Sequence, residues 1–188
     1  MRVPKVLLLP GWQNSGSAHW QSRWEARYGY VRVEQHDWMR PLRGDWIARL
    51  EEVLLEQAAA SPSAGGAGSV LVAHSLGCLL VAAWAACSRN TGLVKAAFLV
   101  APGDPEREEL GGVLASWSPM VLRPLPFPSQ LLGSHNDPYC SLERAKLFAN
   151  AWGCAFVDYG ERGHINADSG LGSWPEGHDM LLAMGQKN

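Results

Sequence analysis

The sequence predicts a parallel α/β sheet with helices on both faces. Three observations carry this: short, near-continuous apolar runs, longer helical patterns alternating with them, and Gly or Pro flanking some of the runs. Strands buried on both faces lose the in–out alternation of half-exposed strands. Strand–helix alternation in turn requires parallel pairing through right-handed crossovers. A chain of 188 residues matches one domain spanning 1–188 and can bury a sizeable core.

The strands are expected at Lys5–Leu9, Val31–Glu34, Ser69–Ala73, Val94–Val100, Ser129–Gly133 and Ala155–Tyr159, about six in all. Asp45 reads as the N-cap of a helix over Trp46–Ala60, where Trp46, Ile47, Leu50, Val53 and Leu54 fall on one face. Ser141 reads as the cap of Leu142–Trp152, with Leu142, Ala145, Phe148, Ala149 and Trp152 on one face. Leu76–Cys87 is apolar all round and belongs in the middle of the molecule. A C-terminal helix begins near Pro175, with His178 on its surface. Residues 58–68 read as a surface loop. The proline-rich stretch 101–128, with a helical pattern at Glu106–Ser116, reads as a small cap or rim over the sheet edge, or else a plain connection.

The balance of 16 basic and 18 acidic residues, net −2, gives no footprint for nucleic acid and no polybasic surface for a membrane. The apolar run at Val6–Leu9 is too short for a signal peptide, and no stretch is long enough to span a bilayer. Cys78, Cys87, Cys140 and Cys154 form no C-x-x-C or zinc-like spacing, so reduced thiols and a cytoplasmic location are expected. No metal-binding pattern and no phosphate-binding glycine loop is present.

Ala73-His74-Ser75-Leu76-Gly77 joins an apolar strand to an apolar helix. It is the G-x-S-x-G turn with Ala in the first position. Small residues two before and two after the serine let the backbone fold back sharply. The turn projects Ser75 Oγ beyond the strand ends, where open α/β sheets bind ligands. It also aims the Leu76 N–H there, as half of an oxyanion hole. The plainer alternative is that Ser75 is an ordinary helix cap.

A serine hydroxyl is protonated at neutral pH and needs an adjacent base. The order Ser…Asp/Glu…His rules out His135, and His178 falls in the C-terminal helix, which leaves His164, in the loop after the last strand. Asp137, after the fifth strand and stiffened by Pro138, is the expected acid, ahead of Asp104, Asp158 and Asp168; an Asp-Pro pair can also simply start a turn. The loop after the first strand, Pro10-Gly11-Trp12, should supply the second oxyanion donor, the Trp12 N–H. Among nine tryptophans, Trp12, Trp38, Trp117 and Trp174 fall in loops that can ring the cleft as substrate-binding residues, although core and rim packing is the favoured reading of them.

These residues together resemble the small bacterial α/β-hydrolases related to retinoblastoma-binding protein nine. The resemblance runs through Pro10-Gly11-Trp12, His19-Trp20-Gln21, Gln35-His36-Asp37-Trp38, the serine turn to Cys78, Asp137-Pro138-Tyr139-Cys140-Ser141, Gly163-His164-Ile165-Asn166 and the tail 169–177. It implies a compact α/β-hydrolase fold, a Ser75/Asp137/His164 triad and no cofactor. The expected substrate is a small-molecule ester. Acyl transfer with the same residues, or a non-catalytic interaction protein on this scaffold, are the alternatives.

Overall fold

In the computed structural model, which describes residues 5–60, 68–110 and 112–185, six strands form one fully parallel sheet. In chain order they are β1 (Lys5–Leu9), β2 (Val31–Arg32), β3 (Ser69–Ser75), β4 (Val94–Pro102), β5 (Ser129–Gly133) and β6 (Ala155–Asp158). The spatial order is β2-β1-β3-β4-β5-β6. Five α-helices accompany them: α1 (Trp20–Tyr28), α2 (Arg43–Ala59), α3 (Leu76–Cys87), α4 (Leu142–Trp152) and α5 (Pro175–Gly185).

The sheet is covered on both faces. Leu71 and Ala73 of β3 join a cluster with Leu50 and Val53 of α2, Leu79 and Trp84 of α3, and Phe148 of α4. Val70 and Val72, one residue out of phase, join Trp20 and Trp24 of α1 and Leu181 of α5. Both faces of β3 are therefore dry, which is why its sequence is apolar without alternation.

Several boundaries differ from the sequence expectation. β3 runs two residues further, through His74 and Ser75, and β4 reaches Pro102. β2 shrinks to Val31–Arg32, although the Val33 N–H still bonds the Leu8 carbonyl at 2.9 Å. α2 starts at Arg43 with Leu42 as N-cap, so Asp45 lies inside the first turn and favours the helix through its charge. Ser141 does cap α4, accepting from the Arg144 N–H. Among the described residues, the pattern at Glu106–Ser116 yields two 3₁₀ turns, Glu108–Leu110 and Ala115–Trp117, and no α-helix. The greater part of the 58–68 loop lies outside the described residues. Among the described residues, no helix is long and apolar enough to cross a membrane.

Candidate active site

The end of β3 and the start of α3 meet at Ser75, whose backbone has φ 54° and ψ −121°. A non-glycine residue there costs on the order of 1–3 kcal/mol and persists only where the surroundings enforce it. Two glycines enforce it. A Cβ on Gly77 would lie 2.2 Å from the Leu9 carbonyl oxygen, so α3 can start under β1 only with glycine at this position. A Cβ on Gly11 would lie 2.7 Å from Ser75 Cβ and 3.2 Å from the Leu76 nitrogen, so the loop after β1 runs directly against the serine turn.

Two backbone N–H groups line the cleft beside the serine, one from α3 and one from that loop. Leu76 is the first residue of α3, and its N–H has no acceptor within the helix. The Trp12 N–H makes no hydrogen bond among the described residues. Gln13 and Asn14 follow with φ of 68° and 65°, turning the chain around the cleft.

Asp137 and His164 meet from the loops after β5 and β6. Those loops are stitched together: the His135 N–H bonds the Gly160 carbonyl at 2.9 Å, the Arg162 N–H bonds Ser134 Oγ at 2.9 Å, and the Gly163 N–H bonds Asn136 Oδ1 at 2.7 Å. The result sets His164 Nδ1 at 3.0 and 2.9 Å from the two Asp137 oxygens. Both side chains are almost fully buried, at 8% and 2% exposure. Asp137 also accepts from the Tyr139 N–H at 2.8 Å, so it starts the turn and holds the imidazole at once. With Nδ1 taken up, His164 Nε2 is the ring nitrogen left for a substrate or nucleophile.

Ser75, Leu76, Trp12 and His164 line one cleft of about 370 Å³, together with Gly11, Gly103 and Tyr139. No hydrogen bond joins Ser75 to His164; free enzymes often close that contact only with substrate bound. The alternative acids lie elsewhere. Asp104 is tied to Arg144 at 2.8 and 2.9 Å, and Asp158 pairs with His135 on the surface at 2.7 Å. Asp168 is exposed, its N–H bonded to Asn166 Oδ1. Among the described residues, no group of three His, Cys, Asp or Glu is placed to hold a metal ion.

Two further histidines lie beside the cleft. His74 is buried, its Nε2 is 2.8 Å from the His164 carbonyl oxygen, and its ring is 4.8 Å from the His164 ring. His19 packs edge-on against His74 at 4.7 Å and caps α1 through Nδ1. Burial drives the pKa of His74 well below the ordinary histidine value and that of His19 down to about 3, so both rings are neutral. The motif His19-Trp20-Gln21 was the only signal for the second of these in the sequence.

A family model described as serine hydrolase matches residues 6–183. The chain belongs to the serine hydrolase family. A protein described as a YdeN-like hydrolase from Pectobacterium atrosepticum is 31% identical, over 94% of this chain and 88% of that one, with a TM-score of 0.77. The ydeN gene product of B. subtilis is 17% identical, over 96% and 98% of the two chains, at TM-score 0.71. Butyrate-bound esterase Est2 of Thermogutta terrifontis is 18% identical, over 97% and 82%, at 0.68. The last two likenesses are of fold, and the fold is that of the α/β-hydrolases. No curated protein matches.

Within this serine hydrolase the expected aromatic ring around the cleft reduces to Trp12, which lines it and anchors its Nε1–H on the Met39 carbonyl at 3.2 Å. Trp117 and Trp174 are about 1% and 0% exposed and fill the two cores on opposite faces of the sheet. Trp38 packs edge-on against Trp46, away from the cleft lining. Broad gaps between a flat sheet and round helices take large rings, and core filling claims Trp117 and Trp174, with the half-buried Trp38 packed against the core's edge. His178 is likewise buried rather than on the surface, stacked 3.9 Å from Tyr28 and bonded to the Tyr30 hydroxyl at 2.8 Å. Leu110 and Leu114, from the rim segment 101–128, form the apolar part of the lining instead.

Proposed function

We propose that this serine hydrolase cleaves a small carboxylic ester through an acyl-enzyme on Ser75. The observation that carries the reading is the buried Asp137–His164 pair opening into the same cleft as the strained Ser75. His164 Nε2 takes the proton from Ser75 Oγ as the oxygen attacks the carbonyl carbon. Asp137 keeps the Nδ1–H tautomer and stabilises the imidazolium that forms. The N–H groups of Leu76 and Trp12 receive the negative charge on the carbonyl oxygen. The tetrahedral intermediate collapses, and His164 returns the proton to the departing alcohol. Water, deprotonated by His164, then releases the carboxylic acid and restores Ser75.

A cleft of about 370 Å³ sits at the small end of ligand pockets, roughly 300–1,000 Å³, and favours a compact ester. Est2, of the same fold, binds butyrate and propionate and is phosphonylated by cyclosarin, chemistry that fits a nucleophilic serine here too. The motif matches along the chain support placement beside the proteins related to retinoblastoma-binding protein nine. The thiol-only cysteines fit a cytoplasmic enzyme.

The test is Ser75→Ala, expected to lower kcat on a short-chain ester by roughly 10⁴–10⁶. A fluorophosphonate should label the native chain at Ser75 and leave the variant unlabelled. A variant that keeps more than about a tenth of the activity would remove Ser75 from the role.

A further inference from the structure

The loop after β1, which brings Trp12 to the cleft, holds a conformation its residues resist. The Asn14 N–H bonds the Gly11 carbonyl at 3.1 Å, so Gly11 to Asn14 is one turn. Its third residue, Gln13, has φ 68°, where a turn ordinarily calls for glycine or asparagine. Asn14 follows at φ 65°. Residues other than glycine visit this region singly rather than in runs. Such strain persists only where the surroundings over-determine it.

Arg32, on β2, supplies that constraint. Its side chain is 7% exposed and lies behind the cleft, outside the lining. A guanidinium carries five N–H donors in a rigid fork, and here every one is engaged. Nη1 donates to Asn14 Oδ1 at 2.5 Å and to the Ser15 carbonyl at 3.0 Å. Nη2 donates to Ser22 Oγ and to Glu25 Oε2, both at 2.7 Å, and Nε donates to the same Glu25 oxygen at 3.0 Å. One side of the fork thus grips the loop while the other is fixed to α1. Ser22 Oγ in turn donates to the Ser15 carbonyl at 2.8 Å, and Ser15 Oγ donates to Gln21 Oε1 at 2.8 Å. Gln21 is fully buried and donates from Nε2 to the carbonyls of Leu9 in β1 and Val72 in β3, at 3.3 and 3.1 Å. The far end of the loop is therefore tied to the two strands that flank the serine turn.

We propose that Arg32 is a positioning residue for the oxyanion hole: by holding Asn14 and Ser15 it keeps the strained Gly11–Asn14 turn that aims the Trp12 N–H at the reacting carbonyl oxygen. This rests on the ester-hydrolase reading above, in which that N–H is an oxyanion donor, and goes beyond it to a residue that touches no substrate. Without the grip, Gln13 relaxes to negative φ and the turn re-forms with its Trp12–Gln13 peptide reversed. The Trp12 N–H then moves off line, and a displaced donor stabilises the oxyanion poorly. The Leu76 N–H belongs to α3 and stays in place, so the loss is partial.

The experiment compares ethyl butyrate with O-ethyl thionobutyrate, in which sulfur replaces the carbonyl oxygen, on the full chain. Sulfur accepts hydrogen bonds weakly, so the thiono ester draws little from an oxyanion hole. Each kcat/KM is divided by the ester's rate of hydroxide hydrolysis to remove intrinsic reactivity. The native chain should prefer the oxo ester about tenfold or more. Arg32→Met should lower kcat on ethyl butyrate about 10- to 100-fold, change KM less than about threefold and shrink the oxo preference about fivefold or more. The preference is a ratio within one preparation, so partial unfolding of the variant does not alter it. Where Arg32→Met fails to fold, Asn14→Gly decides: it drops one anchor, accepts the left-handed φ and should shrink the preference about twofold or more. An undiminished oxo preference in the deciding variant, even with kcat lowered, overturns the positioning role and leaves the hydrolase reading standing. A native chain that turns over both esters without favouring the oxo ester overturns it too. Turnover of neither ester by the native chain fails the hydrolase reading, and the positioning role with it.

Discussion

His74 donates from Nε2 to the carbonyl oxygen of His164 at 2.8 Å, so the residue immediately before Ser75 holds the chain that carries the imidazole. A carbonyl only accepts, which assigns the proton to His74 Nε2. Strand β3 thereby sets the positions of both Ser75 and His164 from one backbone.

His74→Phe keeps a ring of similar size in the buried slot and removes the donor. The freed His164 loop should drift, and misplacement of reacting groups by about an ångström costs up to roughly 10²-fold. The expected result is a fall in kcat of about 10- to 100-fold with KM changed by less than about threefold. His74→Gln, which can still donate, should recover part of kcat. Equal kcat in wild type and His74→Phe would show that the bond has no positioning role.

Asp137 and Asp104 separate by what their carboxylates touch. Asp137→Asn should leave the fold intact and lower kcat by roughly 10³–10⁴, because an amide can favour the wrong imidazole tautomer. Asp104→Ala should instead act on stability. It removes from Arg144 the carboxylate that binds it with both oxygens, but Glu106 stays on the same guanidinium at 2.7 Å, which limits the loss to about 1–3 kcal/mol. Chemical denaturation paired with ester kinetics on both variants checks the division. An Asp104 variant with the larger kcat defect would reverse the assignment of the acid.

The sheet and the serine turn were legible because their signals are local. Continuous apolar runs mark strands buried on both faces, and Ala73 to Gly77 carries its own steric requirement. Helix α1 escaped notice because only Trp20, Gln21 and Trp24 are buried along its nine residues, and the rest is polar. Its signals were the cap at His19 and the left-handed Gly29 at its end. Tryptophans in loops say nothing about which way the loop turns, so Trp117 and Trp174 read as cleft residues until the packing placed them in the cores.

Close packing at the turn makes a sharp glycine prediction. Gly11→Ala places a methyl 2.7 Å from Ser75 Cβ, with the Leu76 nitrogen 3.2 Å away, and neither is a flexible side-chain end. The turn must shift, and kcat should fall about 10-fold or more. Gly44→Ala, with nothing within 4 Å of the added methyl and a site inside α2, should be neutral or stabilise by up to about 1 kcal/mol. Thermal midpoints and ester kinetics on the pair check this, and a fully active Gly11→Ala would mean that the loop after β1 does not brace Ser75.

Acid should destabilise the fold earlier than its carboxylates require. His19 and His74 have pKa values depressed by burial, His19 to about 3, against an ordinary 6.5 in the unfolded chain. As pH falls below 6.5 the unfolded chain binds protons that the folded chain refuses. Stability is therefore full above about pH 7 and drains as pH drops towards 3, by up to roughly 1.4 kcal/mol per pH unit for each ring. His178, also lowered by burial, pulls the same way. The carboxylates of Asp37, Glu51 and Asp158 are held below their ordinary range by hydrogen bonds, so the window from 6.5 to 5 isolates the histidines. Urea midpoints measured at pH 7, 6 and 5 should decline steadily, and less steeply in His19→Asn. A midpoint that stays flat across that window, or an unchanged slope in the variant, would mean that the histidines behind the cleft take up protons without unfolding.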